Sequence, residues 1–202
     1  MLKASFYNMM SAYTSNRKYI DHCWQEIELK YSHRSRYYHT LAHLEMMLSE
    51  LKNVLSQVHH QDTLRFAIYY HDIIYKPGRS DNEAKSALRF EERISKTSFK
   101  FIKECKAQIE ATKEHKRSTD KDTNILMDLD LLILGQTPEV YESYCNNIRR
   151  EFSAFPNFLY RKGRKEFLER FLALDTIYKV NYFKEKFEEQ ARKNLQRELE
   201  NL

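Results

Sequence analysis

Residues 62–83 read DTLRFAIYYHDIIYKPGRSDNE, and the fold turns on how they are read. The run 62–75 is apolar on nearly every side, which predicts a buried helix rather than a surface one. Pro77 and Gly78 then break the pattern. Ser80 stands three residues before Glu83, the spacing of a capping box, and predicts a new helix running to about Ser95. Inside the apolar run sit His71 and Asp72. An imidazole and a carboxylate there cost several kcal/mol unless something pairs with them. Together they form a nitrogen and oxygen pair suited to a divalent metal.

Working outward, the same helical periodicity recurs. Residues 16–31 carry Tyr19, Ile20, Cys23, Trp24, Ile27 and Tyr31 at helical spacing. Residues 40–58 carry Leu41, Leu44, Met47, Leu48, Leu51, Val54, Leu55 and Val58. A further helix fits 98–115, and TNILMDLDLLILG (123–135) reads as a helix stopped by Gly135. Thr137 and Pro138 predict a helix start, with the helix running to about Phe155. Two more helices are expected at roughly 164–178 and 183–201, the last one exposed because its charges alternate in sign. The 202 residues include only three glycines and three prolines, too few for a turn-rich β architecture. The expectation is an all-α fold forming one domain over 1–202, with a core at about 16–135 and a C-terminal helical extension at about 136–202.

Net charge is +5, from 34 basic and 29 acidic residues, with dense clusters at EHKRSTDKD and YRKGRKEF. This mild basicity suits an anionic small molecule better than dedicated nucleic-acid binding. Three scattered cysteines make no disulfide framework and read as free thiols in a reducing compartment. With no signal-peptide pattern and no membrane-spanning run, the expectation is a soluble cytoplasmic protein, monomer or homodimer.

Other polar residues interrupt the apolar pattern. His39 and His43, in SRYYHTLAHLEMML (35–48), are four apart and on a helix would share a face. Glu114 and His115 end a predicted helix. Asp128 and Asp130 lie among aliphatic residues, about 200° apart on a helix, so only one faces a given site.

The order His, His-Asp, Asp across four helices resembles the HD superfamily of metal-dependent phosphohydrolases. The resemblance implies an all-helical HD-domain bundle holding a divalent ion (Mn, Fe, Ni, Mg or Zn) through His43, His71, Asp72 and Asp130. Asp130 is taken over Asp128 because DLDL resembles the family's DxD-type segment, whose second Asp binds metal. YYHTLAHLEMM resembles the YHNxxHxxDV segment of cyclic-nucleotide phosphodiesterases, which implies that His39 is a proton donor. Here Thr40 replaces the Asn, and Glu45–Met46 do not reproduce the DV. YYHTLAHL, YYHDIIYKPGRSDNEAKSA, MDLDLLILG and GRKEFLERFL are similar to segments of small predicted HD phosphohydrolases, a likeness covering roughly 20–195. The HDxxED continuation of the guanosine tetraphosphate hydrolases is absent, replaced by HDIIYK.

The resemblance implies hydrolysis of a phosphoester of a nucleotide or another small phosphate ester. Asp72 would also orient water or bridge to a second metal. Glu83, His115 and Asp128 are candidates for a second metal or for support of the first, and His115 also for catalysis. Glu83 is read equally as half of the capping box, and His115 as a helix C-terminal residue. Arg36, Lys76 and Arg79 are candidates to clamp phosphate. Two other readings stay open: a di-iron oxidoreductase, and a helical binding protein with a vestigial site.

Overall fold

With so few helix breakers, every long apolar-periodic stretch forms a helix. The computed structural model describes residues Met1–Leu202 and contains ten α-helices, two short 3₁₀ helices and no strand. The chain divides into two compact units, Met1–Leu126 and Met127–Leu202. The division falls inside a helix.

The first unit contains α1 (Leu2–Ser11), α2 (Arg17–Tyr31), α3 (Leu41–Val54), a 3₁₀ turn (Leu55–Gln57), α4 (Gln61–Tyr70), α5 (Asn82–Ile94), α6 (Ile102–Ala111) and the start of α7 (Lys121–Asp130). Asn16 caps α2 by accepting the Tyr19 N–H at 3.1 Å. The reading above did not foresee α1, whose Phe6, Met9 and Met10 are buried. Phe6 packs against Trp24 and Tyr69, with ring centroids 5.9 and 5.1 Å away. The expectation for α4 holds in kind: Leu64, Phe66, Ala67, Ile68, Tyr69 and Tyr70 have no exposed surface. Phe66 meets Phe90 and Phe99 at 5.8 and 4.8 Å, so α4 is the aromatic centre of this unit.

Helix boundaries depart from expectation where tertiary partners compete for backbone groups. α4 ends at Tyr70 rather than Tyr75, since the next peptides bond elsewhere. The Tyr31 hydroxyl takes the Asp72 N–H at 3.2 Å, and Ser86 on α5 takes the Ile74 N–H at 3.1 Å while donating to the Ile74 carbonyl at 3.2 Å. α5 begins at Asn82, and the Ser80–Glu83 capping box does not form. Asp81 holds the cap position, but its carboxylate is taken by Arg79 at 2.7 Å and by Lys85 at 2.8 Å. α6 starts at Ile102 because Ser98 bonds the Tyr13 carbonyl through both its N–H and its hydroxyl, each at 3.0 Å.

The second unit holds a 3₁₀ helix (Leu131–Gly135), α8 (Pro138–Glu151), α9 (Asn157–Leu172) and α10 (Asn181–Asn201). Thr137 and Pro138 open α8 as expected. α9 begins earlier than expected, directly after Pro156. α10 is not the exposed helix its charges suggested. Phe183, Phe187, Ala191, Asn194 and Leu195 are buried, and its polar groups serve the interior. The Asn194 amide donates to the carbonyls of Leu134 and Gln136, each at 2.8 Å. Glu198 receives the buried Arg164 guanidinium at 2.7 and 2.9 Å. Gly135 is needed at its position, since a Cβ there would lie 2.6 Å from the Phe187 Cβ and 2.8 Å from its carbonyl oxygen.

No helix is long and apolar enough to cross a membrane. Cys23, Cys105 and Cys145 are free thiols.

Candidate metal centre

The end of α4 and the first turn of α3 bring three ligand-bearing side chains together. One ligand atom each from His43, His71 and Asp72 lies within 4.8 Å of the others. His43 and His71 are 2% and 1% exposed, and the Asp72 side chain is 13% exposed. His71 Nδ1 lies 2.9 Å from the Ile68 carbonyl, one turn back on α4. A carbonyl only accepts, so Nδ1 carries the proton and Nε2 presents its lone pair. His43 Nδ1 lies 3.2 Å from the Tyr38 hydroxyl, which can donate or accept.

The two Nε2 atoms face each other at 3.3 Å, and His71 Nε2 is also 3.3 Å from Asp72 Oδ2. With both imidazoles carrying their protons on Nδ1, two lone pairs would point together at this distance. A proton or a cation must lie between them. Two imidazole nitrogens at about 2.0–2.1 Å from one ion in tetrahedral geometry are about 3.3 Å apart. The donor set of two imidazoles and one carboxylate therefore fits a divalent ion, and the carboxylate supplies negative charge beside it. Tyr38 accommodates either state: it donates to Nδ1 when His43 Nε2 is protonated, and accepts from Nδ1–H when Nε2 binds a cation.

His39 is beside this group but is not on a helix with His43. α3 begins at Leu41, with Thr40 extended before it, so loop geometry replaces the expected helical i, i+4 pairing. The His39 ring stacks on Tyr75 at 4.0 Å and meets the edge of Tyr38 at 4.9 Å. Its Nε2 lies 3.9 Å from Asp72 Oδ2, and its side chain is 17% exposed.

The remaining sequence candidates are placed as follows. Asp128 is fully buried, and its carboxylate accepts from the Lys179 N–H at 2.8 and 2.9 Å and the Val180 N–H at 2.8 Å. Burial pushes its carboxyl up to about 6, against the opposing pull of the Lys179 ammonium 3.5 Å away. These bonds hold the backbone immediately before α10. Asp130 closes α7 in the second unit and is half-buried. Glu83 is in the first turn of α5. His115 lies beyond α6 with φ 50°, a left-handed conformation that histidine tolerates better than most residues. Arg36 is 8% exposed, and its guanidinium donates to the carbonyls of His39 and Ile73, each at 3.2 Å. Arg79 pairs with Asp81, and Lys76 is exposed.

Sequence reading missed the residues that hold the ligands in place. Tyr38 meets His43, Tyr75 stacks on His39, and Tyr31 takes the Asp72 N–H. Burial pushes the Tyr31 phenol up to about 12, so it stays protonated. Asn82 bonds the Lys76 backbone through both ends of its amide, at 3.1 and 3.0 Å. Asn82 and Ser86, four apart on α5, together fasten the turn after the His-Asp pair. Their helical spacing, two small polar residues on an otherwise core-facing stripe, is the signal that was there to read.

The fold and site define an all-helical protein with a buried His/His/Asp group able to hold a metal ion. No model of a known protein family, no curated protein and no solved structure matches the chain.

Proposed function

We propose that this chain is a metal-dependent phosphohydrolase of the HD type, acting on a phosphoester of a nucleotide or another small phosphate ester. The observation that carries the reading is the convergence of His43, His71 and Asp72, with two buried imidazole nitrogens 3.3 Å apart. His43, His71 and Asp72 would hold the divalent ion. A divalent ion in such a site supplies Lewis acidity, lowering the pKa of water and drawing charge from a phosphoryl group. The nitrogen and oxygen donor set suits Mn²⁺, Fe²⁺, Ni²⁺ or Zn²⁺ and tolerates Mg²⁺.

His39 is the proton donor to the leaving oxygen. Tyr75 and Tyr38 confine its ring at the more open side of the site. A positioned acid of this kind contributes roughly 10²–10⁴ in rate. Lys76, exposed on the loop after the His-Asp pair, is the cation best placed in sequence to meet the substrate phosphate. Elemental analysis of purified protein, followed by a phosphate-release screen with added Mn²⁺, Ni²⁺ or Mg²⁺, tests the reading. Asp72→Ala should lose both metal and hydrolysis, and full activity in that variant would overturn the assignment.

A further inference from the structure

Arg36 sits on the loop between α2 and α3 with 8% of its surface exposed. A guanidinium does not give up its charge, so burial requires that its N–H groups be answered. Nη1 donates to the His39 carbonyl and Nη2 to the Ile73 carbonyl, each at 3.2 Å. These acceptors lie on two different segments. One is the loop that carries His39, and the other is the turn that carries Asp72, one residue before the carbonyl in question.

The guanidinium also makes a second pair of contacts. It lies over the Tyr31 ring at 4.8 Å and the Tyr75 ring at 5.5 Å. Both tyrosines reach the site themselves: the Tyr31 hydroxyl takes the Asp72 N–H at 3.2 Å, and Tyr75 stacks on His39 at 4.0 Å. One side chain thus touches the backbone of His39 and of the residue after Asp72, together with an aromatic support of each. We infer that Arg36 is a positioning residue that sets the separation of His39 from Asp72, rather than a contact to the substrate phosphate. A lysine cannot substitute: its ammonium is a compact point donor and has no planar fork to span two carbonyls. The consequence for turnover rests on the phosphohydrolase reading, whereas the positioning itself does not.

The test compares wild type with Arg36→Lys and Arg36→Met, each first shown to be folded by circular dichroism. Three readouts are taken: kcat and KM for p-nitrophenyl phosphate with Mn²⁺, the Mn²⁺ dissociation constant, and the ring-to-ring NOE between His39 and Tyr75 in metal-free protein. The inference expects Arg36→Lys to lower kcat by about 10–100-fold with KM nearly unchanged, the loss typical of removing support behind a metal site. It also expects Mn²⁺ to bind up to about 10-fold more weakly and the NOE to weaken or vanish. A rise in KM of about 10-fold or more at unchanged kcat would mean that Arg36 contacts the phosphate, and would overturn the inference. A folded Arg36→Lys protein with lower thermal stability but wild-type kcat, metal affinity and NOE would also overturn it, leaving only a packing role. Absence of hydrolysis in wild type would sink the phosphohydrolase reading alone. The metal affinity and NOE of the variants then decide the inference, and the NOE decides it if Mn²⁺ does not bind.

Discussion

Tyr38→Phe isolates one hydrogen bond at the candidate metal centre. The hydroxyl lies 3.2 Å from His43 Nδ1, while the Tyr38 ring packs against His39 and His43 at 4.9 and 5.1 Å. Phenylalanine keeps both ring contacts and removes only the oxygen. When His43 Nε2 binds a cation, Nδ1 carries the proton and loses its acceptor in the variant. Removing such outer partners of ligating histidines costs about 10–100-fold in metal affinity. The 3.2 Å separation is at the long end of hydrogen bonding, so the low end applies here: about 10-fold, or roughly 1.4 kcal/mol. The assay is competition for Mn²⁺ or Ni²⁺ against a chromophoric chelator near neutral pH, with wild type, Tyr38→Phe and His43→Ala run in parallel. His33→Ala serves as the control, because that exposed ring bonds only its own loop through Ser35, at 2.7 Å. Wild type should bind with 1:1 stoichiometry, Tyr38→Phe about 10-fold more weakly, and His43→Ala not measurably. Wild-type affinity in Tyr38→Phe would refute the tautomer argument. Wild-type affinity in His43→Ala would refute the site.

Other expected outcomes follow from the same contacts. His39→Ala should keep the metal and lose about 10²–10⁴ in turnover; loss of metal content instead would make His39 a ligand. Gly135→Ala forces a Cβ to 2.6 Å from the Phe187 Cβ, so urea unfolding should show a loss of about 1–3 kcal/mol. Arg164→Met leaves Glu198, 12% exposed, without its bidentate partner and should cost about 3–5 kcal/mol, with Arg164→Met/Glu198→Gln recovering much of it. Burial pushes the Glu198 carboxyl up, but hydrogen bonds and charge from Arg164 outweigh it and hold the group below the usual carboxylate range. The stability from this pair is therefore full above the unfolded glutamate pKa, about 4.3, and is lost as pH falls through the lower folded value. Wild type should approach Arg164→Met/Glu198→Gln in stability only in acid, and a constant gap between them from neutral pH downward would contradict the assignment.

The helical class and the ligand types of the site were legible because they depend on short-range rules. Apolar spacing of three and four residues puts side chains on one face whatever surrounds them, and Leu44, Met47, Leu51 and Val54 of α3 are buried as that spacing requires. His71 and Asp72 stood out because polar groups in an apolar run are costly in any fold. Helix ends were less legible. They depend on which distant group captures a backbone N–H or carbonyl, as Ser86 does for Ile74 and Tyr13 does for Ser98. The alternating charges of α10 misled for a related reason. Charge predicts exposure only until a partner such as Arg164 makes inward pairing favourable.

The sequence by itself determined that this chain is helical and that His43, His71 and Asp72 bear ligand atoms out of keeping with their apolar surroundings. Only the tertiary structure decided that these three meet, that Asp128 holds the backbone ahead of α10, and that Arg36 grips two carbonyls. Local periodicity is carried by neighbours within one turn, whereas the convergence of residues 28 positions apart, such as His43 and His71, depends on which helices pack together and which side chains fill the gaps between them.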